Sequence, residues 1–313
     1  MAQALNYAAK YQQALANAFP YALYFGDLWN QTGNGNYRWV DEKTIQIPRL
    51  TTTGRVNADR DTIAQATRNF DNSWESKTLE NQRKWSTLVH PKDIDQTNMV
   101  ATITNITKTF NEFQKFPEMD AYLISKLYSA WTTAVVSEGY TAHTAMEDAI
   151  TGADGKIDGD KVLAVFDAFM LAMDNKRVPI QGRIFYCTHE VKAALKNAAS
   201  VAKRWDVKAA GNGINRSVDY LDGVKVNAVP AELMKTLYNF TTGWAVSASA
   251  DQINMFMVHP MAIITPVSYT FAQLQEPSAL SEGKYVYYEE SFEDCFILNN
   301  MADALQFHIT KHK

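Results

Sequence analysis

Between Arg55 and Asp93 the only large aliphatic side chains are Val56, Ile63, Leu79, Leu88 and Val89. Charges of both signs are frequent there, and Phe70, Trp74 and Trp85 supply the large apolar surfaces. A segment with so little to bury cannot form a core of its own. Long segments of this kind within compact domains are functional or disordered. Aromatic rings set among charges suit a protein interface better than a private core. Phe70, Trp74 and Trp85 are therefore the candidate contacts to another chain, and a loose surface insertion is the alternative reading.

The surroundings of this segment are ordinary. A chain of 313 residues accommodates two domains, or one with elaborate extensions. Its 46% hydrophobic and 20% charged residues place it among globular proteins, away from the disordered regime. A net charge of −4 leaves no basic footprint for sequence-specific nucleic-acid reading. A protein that merely encloses nucleic acid can still be mildly acidic. Two cysteines, Cys187 and Cys295, are too few for a disulfide scaffold and point to a reducing compartment. No apolar run approaches 18 residues, so no membrane span is expected. The start, Met1-Ala2-Gln3-Ala4-Leu5, lacks the charged and apolar regions of a signal peptide.

Along the chain, Leu5, Ala8, Tyr11 and Leu15 predict a short helix over 4–18, and Pro20 with the tract 31–36 breaks regular structure. Thr44 to Pro48 alternates as a strand, which Pro48 confines to an edge or an end. Asp95 is placed to cap the next helix. Met99, Ile103, Ile106, Phe110 and Phe113 then form one apolar stripe over four or five turns. Pro117 fits the first turn of a second helix and disfavours helical geometry at Phe116, so two helices meeting at a bend are predicted. Met119, Leu123, Leu127 and Trp131 carry the second stripe.

From about Tyr140 to Leu237 the pattern is that of an α/β layer. A helix is predicted around Val162, Phe166, Phe169, Met170 and Met173, then a buried strand over Arg183–Cys187. Thr188 caps a helix with a face of Val191, Leu195, Ala198 and Ala202, and Asp222-Gly223 turns a hairpin that Pro230 ends. After Trp244 the chain is mostly strand, returning to pack under the long helix.

No constellation for chemistry emerges. Cys187 and His189 invite a thiol-nucleophile reading, but Phe185-Tyr186-Cys187 reads as a buried strand and a catalytic thiolate needs access. Asp154 to Asp160 imitates a calcium loop, yet Lys156 and Val165 fall where ligands belong. A turn in which Asp158 or Asp160 caps the following helix fits better. The histidines have no metal-ligand spacing, and Gly211-Asn212-Gly213 lacks the context of a phosphate loop. The acids Glu289, Glu290, Glu293 and Asp294 are expected to face solvent. Catalytic, cofactor and metal sites are accordingly all expected to be absent.

The order of features resembles the major capsid protein of tailed bacteriophages, the Hong Kong 97-type fold that encapsulins share. Lys43-Thr44-Ile45-Gln46-Ile47-Pro48 and the stretch to Arg83-Lys84-Trp85 look like that family's extended loop. Asp93-Ile94-Asp95-Gln96-Thr97 looks like the start of its spine helix, and Phe116-Pro117-Glu118-Met119-Asp120-Ala121-Tyr122 like the joint after it. Asp222-Gly223-Val224-Lys225-Val226 with Pro230 and Met234 is similar to the axial-domain strand. Asp294 to Asn300 and Ala304-Leu305 resemble the closing strands of the peripheral domain.

The resemblance implies an α+β fold divided into an N-terminal arm (1–35), an extended loop with its base (36–94) and a spine helix with the helix after it (95–139). An axial domain (140–240) and return strands, mostly of the peripheral domain (241–313), complete it. It implies a subunit of an icosahedral or prolate shell that forms pentamers and hexamers around double-stranded DNA. It also implies a portal partner, a separate scaffolding protein and assembly in the host cytoplasm, with no membrane and no cofactor. An encapsulin-like compartment is the alternative, and a cysteine-dependent hydrolase a distant one. The family's lysine–asparagine crosslink, for which Lys77 or Lys84 with Asn299 or Asn300 could be imagined, is not expected here. Joints at Gly33, Gly35 and Gly54 imply that the N-terminal arm and residues 50–90 vary most among copies.

Overall fold

The computed structural model describes residues 23–29, 37–55, 68–96, 102–133, 142–152, 155–198 and 218–312. The expected helix over 4–18, the joints at Gly33 and Gly35, and residues Met99, Asp154, Ala202 and 211–213 lie outside them. The described residues open with one turn of helix, α1 (Gly26–Trp29), and the short strand β1 (Arg38–Trp39). Strands β2 (Thr44–Thr52), β3 (Phe70–Thr78) and β4 (Gln82–Val89) follow. The helices α2 (Pro91–Gln96) and α3 (Ile103–Phe110) lead into a π-helical turn, Asn111–Lys115, and α4 (Phe116–Thr132).

Next come α5 (Gly159–Asn175), β5 (Ile184–Thr188), α6 (His189–Asn197), β6 (Tyr220–Leu221) and β7 (Val224–Val229). The rest is strand: β8 (Tyr238–Asn239), β9 (Ala245–Val246), β10 (Gln252–Val258), β11 (Ile263–Ile264) and β12 (Val267–Gln275). The last are β13 (Tyr285–Glu293), β14 (Phe296–Ile297) and β15 (Leu305–Thr310).

A five-stranded sheet in the order β15-β10-β5-β7-β6 organises the core. β5 and β7 run parallel across the α6 crossover, and the other neighbours are antiparallel. Every residue of β5 is buried, as a strand covered on both faces must be. Period-two alternation then sorts its side chains. Phe185 and Cys187 join Phe166, Phe169, Val191 and Leu195 of α5 and α6. Ile184 and Tyr186 join Leu123, Ile124, Leu127 and Trp131 of α4, with Phe256 and Phe307. The sheet draws β5 and β7 from before residue 240 and β10 and β15 from after it, so the two segments share one core.

Much of the middle region follows its local code. Thr188 Oγ1 accepts from Val191 N at 3.4 Å, and Asp158 caps α5 by accepting from Asp160 N at 3.0 Å. Asp222 and Gly223 both take positive φ, 47° and 81°, as the tight turn between β6 and β7 requires. Gly159 lets α5 press onto α6: a Cβ there would stand 2.8 Å from Ala198 Cβ.

The long helix departs from expectation at both ends of its first stripe. Asp95 lies inside α2, and α3 is capped by Thr102, whose hydroxyl accepts from Asn105 N at 3.3 Å. The two helices expected to meet at Phe116 are continuous: helical residues run without interruption from Ile103 to Thr132, about 45 Å of path at 1.5 Å per residue. Phe116 is helical, with φ −65° and ψ −43°, and its N–H bonds to Asn111 O, five residues back. Pro117 has no N–H to donate to the carbonyl four residues earlier, and its ring crowds that carbonyl. A π turn takes in the extra residue there without breaking the helix.

Candidate functional site

β2 and β3 pair along their whole length, from Thr44↔Thr78 to Thr52↔Phe70, and form a ribbon. β1 reaches only Ile45 and Gln46, so beyond that point the ribbon is two strands wide. Pro48 sits opposite Trp74 where β2 has no second neighbour, which is why the strand runs through it to Thr52. Residues directly opposite share a face, and so do residues two apart. Pro48, Leu50, Phe70 and Trp74 therefore lie on one face of the ribbon. Leu50 is 68% exposed, Phe70 51% and Trp74 48%. The other face carries Asp71 and Glu75, the latter buried and ion-paired with Lys77 at 2.9 Å. A two-stranded ribbon is marginal by itself, and this one has its apolar face uncovered.

Trp85 stands apart from Phe70 and Trp74. β4 leaves the ribbon and pairs with β13, in the three-stranded sheet β12-β13-β4. That pairing slides the Trp85 indole onto Phe110 of α3, with ring centroids 3.9 Å apart and planes within 6°. Tyr287 closes over it at 5.8 Å. The ring thus packs within its own chain.

The base of the ribbon is a junction of charges. Arg83 of β4 donates to Glu118 of α4 at 2.5 Å and to Phe240 O at 2.7 Å. Lys115 of the π turn donates to Glu289 of β13 at 3.1 Å, and Tyr287 donates to the same carboxylate at 2.8 Å. Arg83, Glu118, Lys115 and Glu289 line a cleft of about 270 Å³ with Trp85, Phe110 and Glu293. The expectation that these acids face solvent fails for Glu289 and Glu293 of β13 and for Asp294 just after it, whereas Glu290 stays half-buried on the other face. Glu289 and Glu293 are 9% exposed and Asp294 is fully buried, because the helix lies across their face of β13. Burial pushes the Glu293 carboxyl above its ordinary range, Lys115 opposes this, and Glu118 and Glu289 add to it.

Asp294 is held by Tyr122 Oη at 2.9 Å, Glu80 N at 2.9 Å and Cys295 N at 2.8 Å. Burial raises its pKa, and those bonds pull it back. Asp120 of α4 accepts from Tyr24 N at 2.8 Å and Phe25 N at 3.3 Å, pinning the segment before α1 to the helix. None of these partnerships was read from the sequence. Period two does put Tyr287, Glu289, Ser291 and Glu293 on one face, but no local signal says what covers it.

This junction is a clamp joining β4, the π turn, α4 and β13. Its Arg83 and Lys115 are each paired with a carboxylate. Cys187 is fully buried, and burial pushes its thiol up to about 12, far from thiolate at neutral pH. Among the described residues no group of three or more His, Cys, Asp or Glu is arranged to hold a metal ion. No described helix is long and apolar enough to cross a membrane.

No family model matches the sequence, and no curated protein does. The fold, however, is similar to that of phage capsid chains over almost its whole length. The chain of the bacteriophage PhiM1 mature capsid superposes with a TM-score of 0.67 at 15% identity, covering 98% of this chain and 93% of that one. The capsid of the cyanophage P-SCSP1u gives 0.67 at 13% identity, with coverages of 98% and 93%. A chain from Mycobacterium phage Che8 gives 0.62 at 12% identity, covering 96% of each.

Proposed function

We propose that this chain is the structural subunit of a bacteriophage capsid, built on the Hong Kong 97-type fold. In this reading residues 1–35 are the N-terminal arm, and the β2–β3 ribbon is the extended loop of 36–94, with β4 at its base. α3 and α4 are the spine of 95–139. Residues 140–240 make the axial domain and 241–313 the return strands, mostly of the peripheral domain, with β10 and β15 returning to the sheet that holds β5 and β7. The subunit assembles with itself into pentamers and hexamers that enclose double-stranded DNA in the virion. A portal protein and a separate scaffolding protein complete the assembly in the host cytoplasm.

The observation that carries this reading is the uncovered apolar face of the ribbon on a chain with a capsid fold. Pro48, Leu50, Phe70 and Trp74 have no use in an isolated subunit, whereas an arm laid on a neighbour buries them. Phe70 and Trp74 are the intersubunit contacts. Trp85 serves the interface indirectly, by fixing the base from which the ribbon projects. A buried aromatic ring removes about 150–250 Å² from water. Phe70 and Trp74 are about half exposed before assembly, so at about 25 cal/mol per Å² covering each is a gross gain of about 2–3 kcal/mol before ordering is subtracted. Contacts that are modest singly become strong when a closed shell repeats them.

Electron microscopy of the purified protein tests this. Closed shells, pentamers or hexamers are expected, with packaged DNA in particles from infected cells. Small discrete oligomers with hydrolytic turnover would overturn the reading, and shells filled with protein cargo in place of DNA would make it an encapsulin-like compartment.

A further inference from the structure

Strand β12 leaves the sheet β12-β13-β4 open on one side. Its nine residues, Val-Ser-Tyr-Thr-Phe-Ala-Gln-Leu-Gln, include no charge and no proline, and all but Ser268 are exposed. Its register irregularity lies at the start, between Val267 and Tyr269, leaving 269–275 regular. Soluble proteins protect sheet edges with charges, prolines, bulges, short strands or a cover.

The molecule's other described edges have such protection. β4 carries Arg83 and Lys84 and lies under the helix through Arg83–Glu118 and Trp85–Phe110. β3 carries Asp71, Glu75 and Lys77. β15 is flanked by Met146, which bridges to His308, and β6 is two residues long. Among the described edge strands, β12 alone is long, neutral and uncovered.

We propose that β12 is completed by the β12 of a second copy of this chain, the two running antiparallel about a local two-fold axis. The inference rests on the assembly reading above and adds a specific joint to it. Neutrality argues for a like partner. Antiparallel β12 strands set only hydroxyl, amide and apolar side chains opposite one another, whereas β3, β4 or β13 would each bring acids or bases. A two-fold contact is self-complementary, so one strand serves both sides. Tyr269 and Phe271 are already stacked at 6.2 Å and exposed, and with Leu274 they are ready for cross-strand pairing.

Residues 269–275 span about 24 Å at about 3.4 Å per residue. A contact of that length falls well short of the roughly 1,600 Å² of a stable pair. The joint therefore forms where other contacts already hold chains side by side, and free subunits stay unpaired through it.

The test is a charge swap on exposed positions of one sheet face. The double variants Thr270→Lys/Leu274→Lys and Thr270→Glu/Leu274→Glu, at positions opposite uncharged Ser291 and Tyr287 within the sheet, are expected to melt as the parent does. If a double variant loses the parent's transition, the single Thr270→Lys and Thr270→Glu changes replace it. Each variant alone is expected to yield about tenfold fewer particles by sedimentation and electron microscopy, since like charges face each other. A mixture of the two is expected to restore particle yield.

Variants that assemble alone as the parent does overturn the joint. So does a mixture no better than its components, which would assign the edge to a different segment. A parent that never forms particles overturns the assembly reading and this joint together.

Discussion

At the scale of single residues, the same type of side chain does opposite work depending on what its strand pairs with. Trp74 and Trp85 look alike in sequence, each an indole among charges. Trp74 sits on a ribbon with open space over its face, and Trp85 is stacked on Phe110. Trp74→Ala should leave the melting of the isolated subunit within about 0.5 kcal/mol of the parent, as exposed substitutions do, while lowering particle yield. Trp85→Ala should remove about 2–3 kcal/mol from the subunit itself, less than a full core truncation because the ring is half-buried. Denaturant melts of unassembled protein, set beside particle counts, separate the two. Equal effects on both readouts would contradict the division.

The β13 acids make a second residue-scale case. Glu293 has its folded pKa raised by burial, so its contribution to stability is fully present below the ordinary carboxylate range. That contribution is lost as pH rises through the raised value, because the unfolded state gives up the proton more readily. Glu293→Gln should therefore raise the melting temperature at pH 7.5 and leave it unchanged below pH 4, where the parent carboxyl is protonated. A parent and variant whose melting curves stay parallel from pH 4 to 8 would remove Glu293 from the account.

At the scale of elements, close approach and register decide. α5 and α6 meet at Gly159, where any Cβ runs into Ala198 and the backbone of α6. Gly159→Ala, normally favourable in a helix, is expected to cost about 1–3 kcal/mol by overpacking, read as a lower melting temperature with unchanged helix content.

Elements also show why some of the fold was legible and some was not. The β6–β7 turn was readable because Asp222-Gly223 states its geometry locally, and Thr188 and Asp158 were readable as caps for the same reason. The continuity of the helix through Phe116 was not readable. A proline there signals a break, and the packing of both flanking stripes, Phe110 on Trp85 and Leu123 in the core, keeps the chain helical on either side of it. The burial of Glu289, Glu293 and Asp294 was invisible because their partners, Lys115, Tyr122 and Glu80, come from distant stretches of chain.

At the scale of the whole molecule, the ribbon is the part with least support of its own, while β4 is built into the body. In particles with several non-equivalent copies, superposed subunits should differ most in the N-terminal residues and in 50–78. β4 should follow the core sheet. A core sheet more variable than the ribbon would reverse the roles assigned to them. Denaturing electrophoresis of particles should give a single monomer band, since Lys77 is ion-paired with Glu75 and Lys84 lies on β4, paired to β13 within its own chain. A covalent ladder would overturn that expectation.

The sequence by itself determined that residues 55–93 could not bury themselves, that a long amphipathic helix follows, and that an α/β layer carries the core. Those properties are local, set by composition, periodicity and turn chemistry. Tertiary structure alone decided that this stretch divides at Leu79 into a free ribbon and a strand locked to β13. It alone decided that Trp85 turns inward and that β12 is left as an open, neutral edge. Each of those depends on which strand lies beside which, and strand neighbours are set by long-range burial that no local pattern encodes.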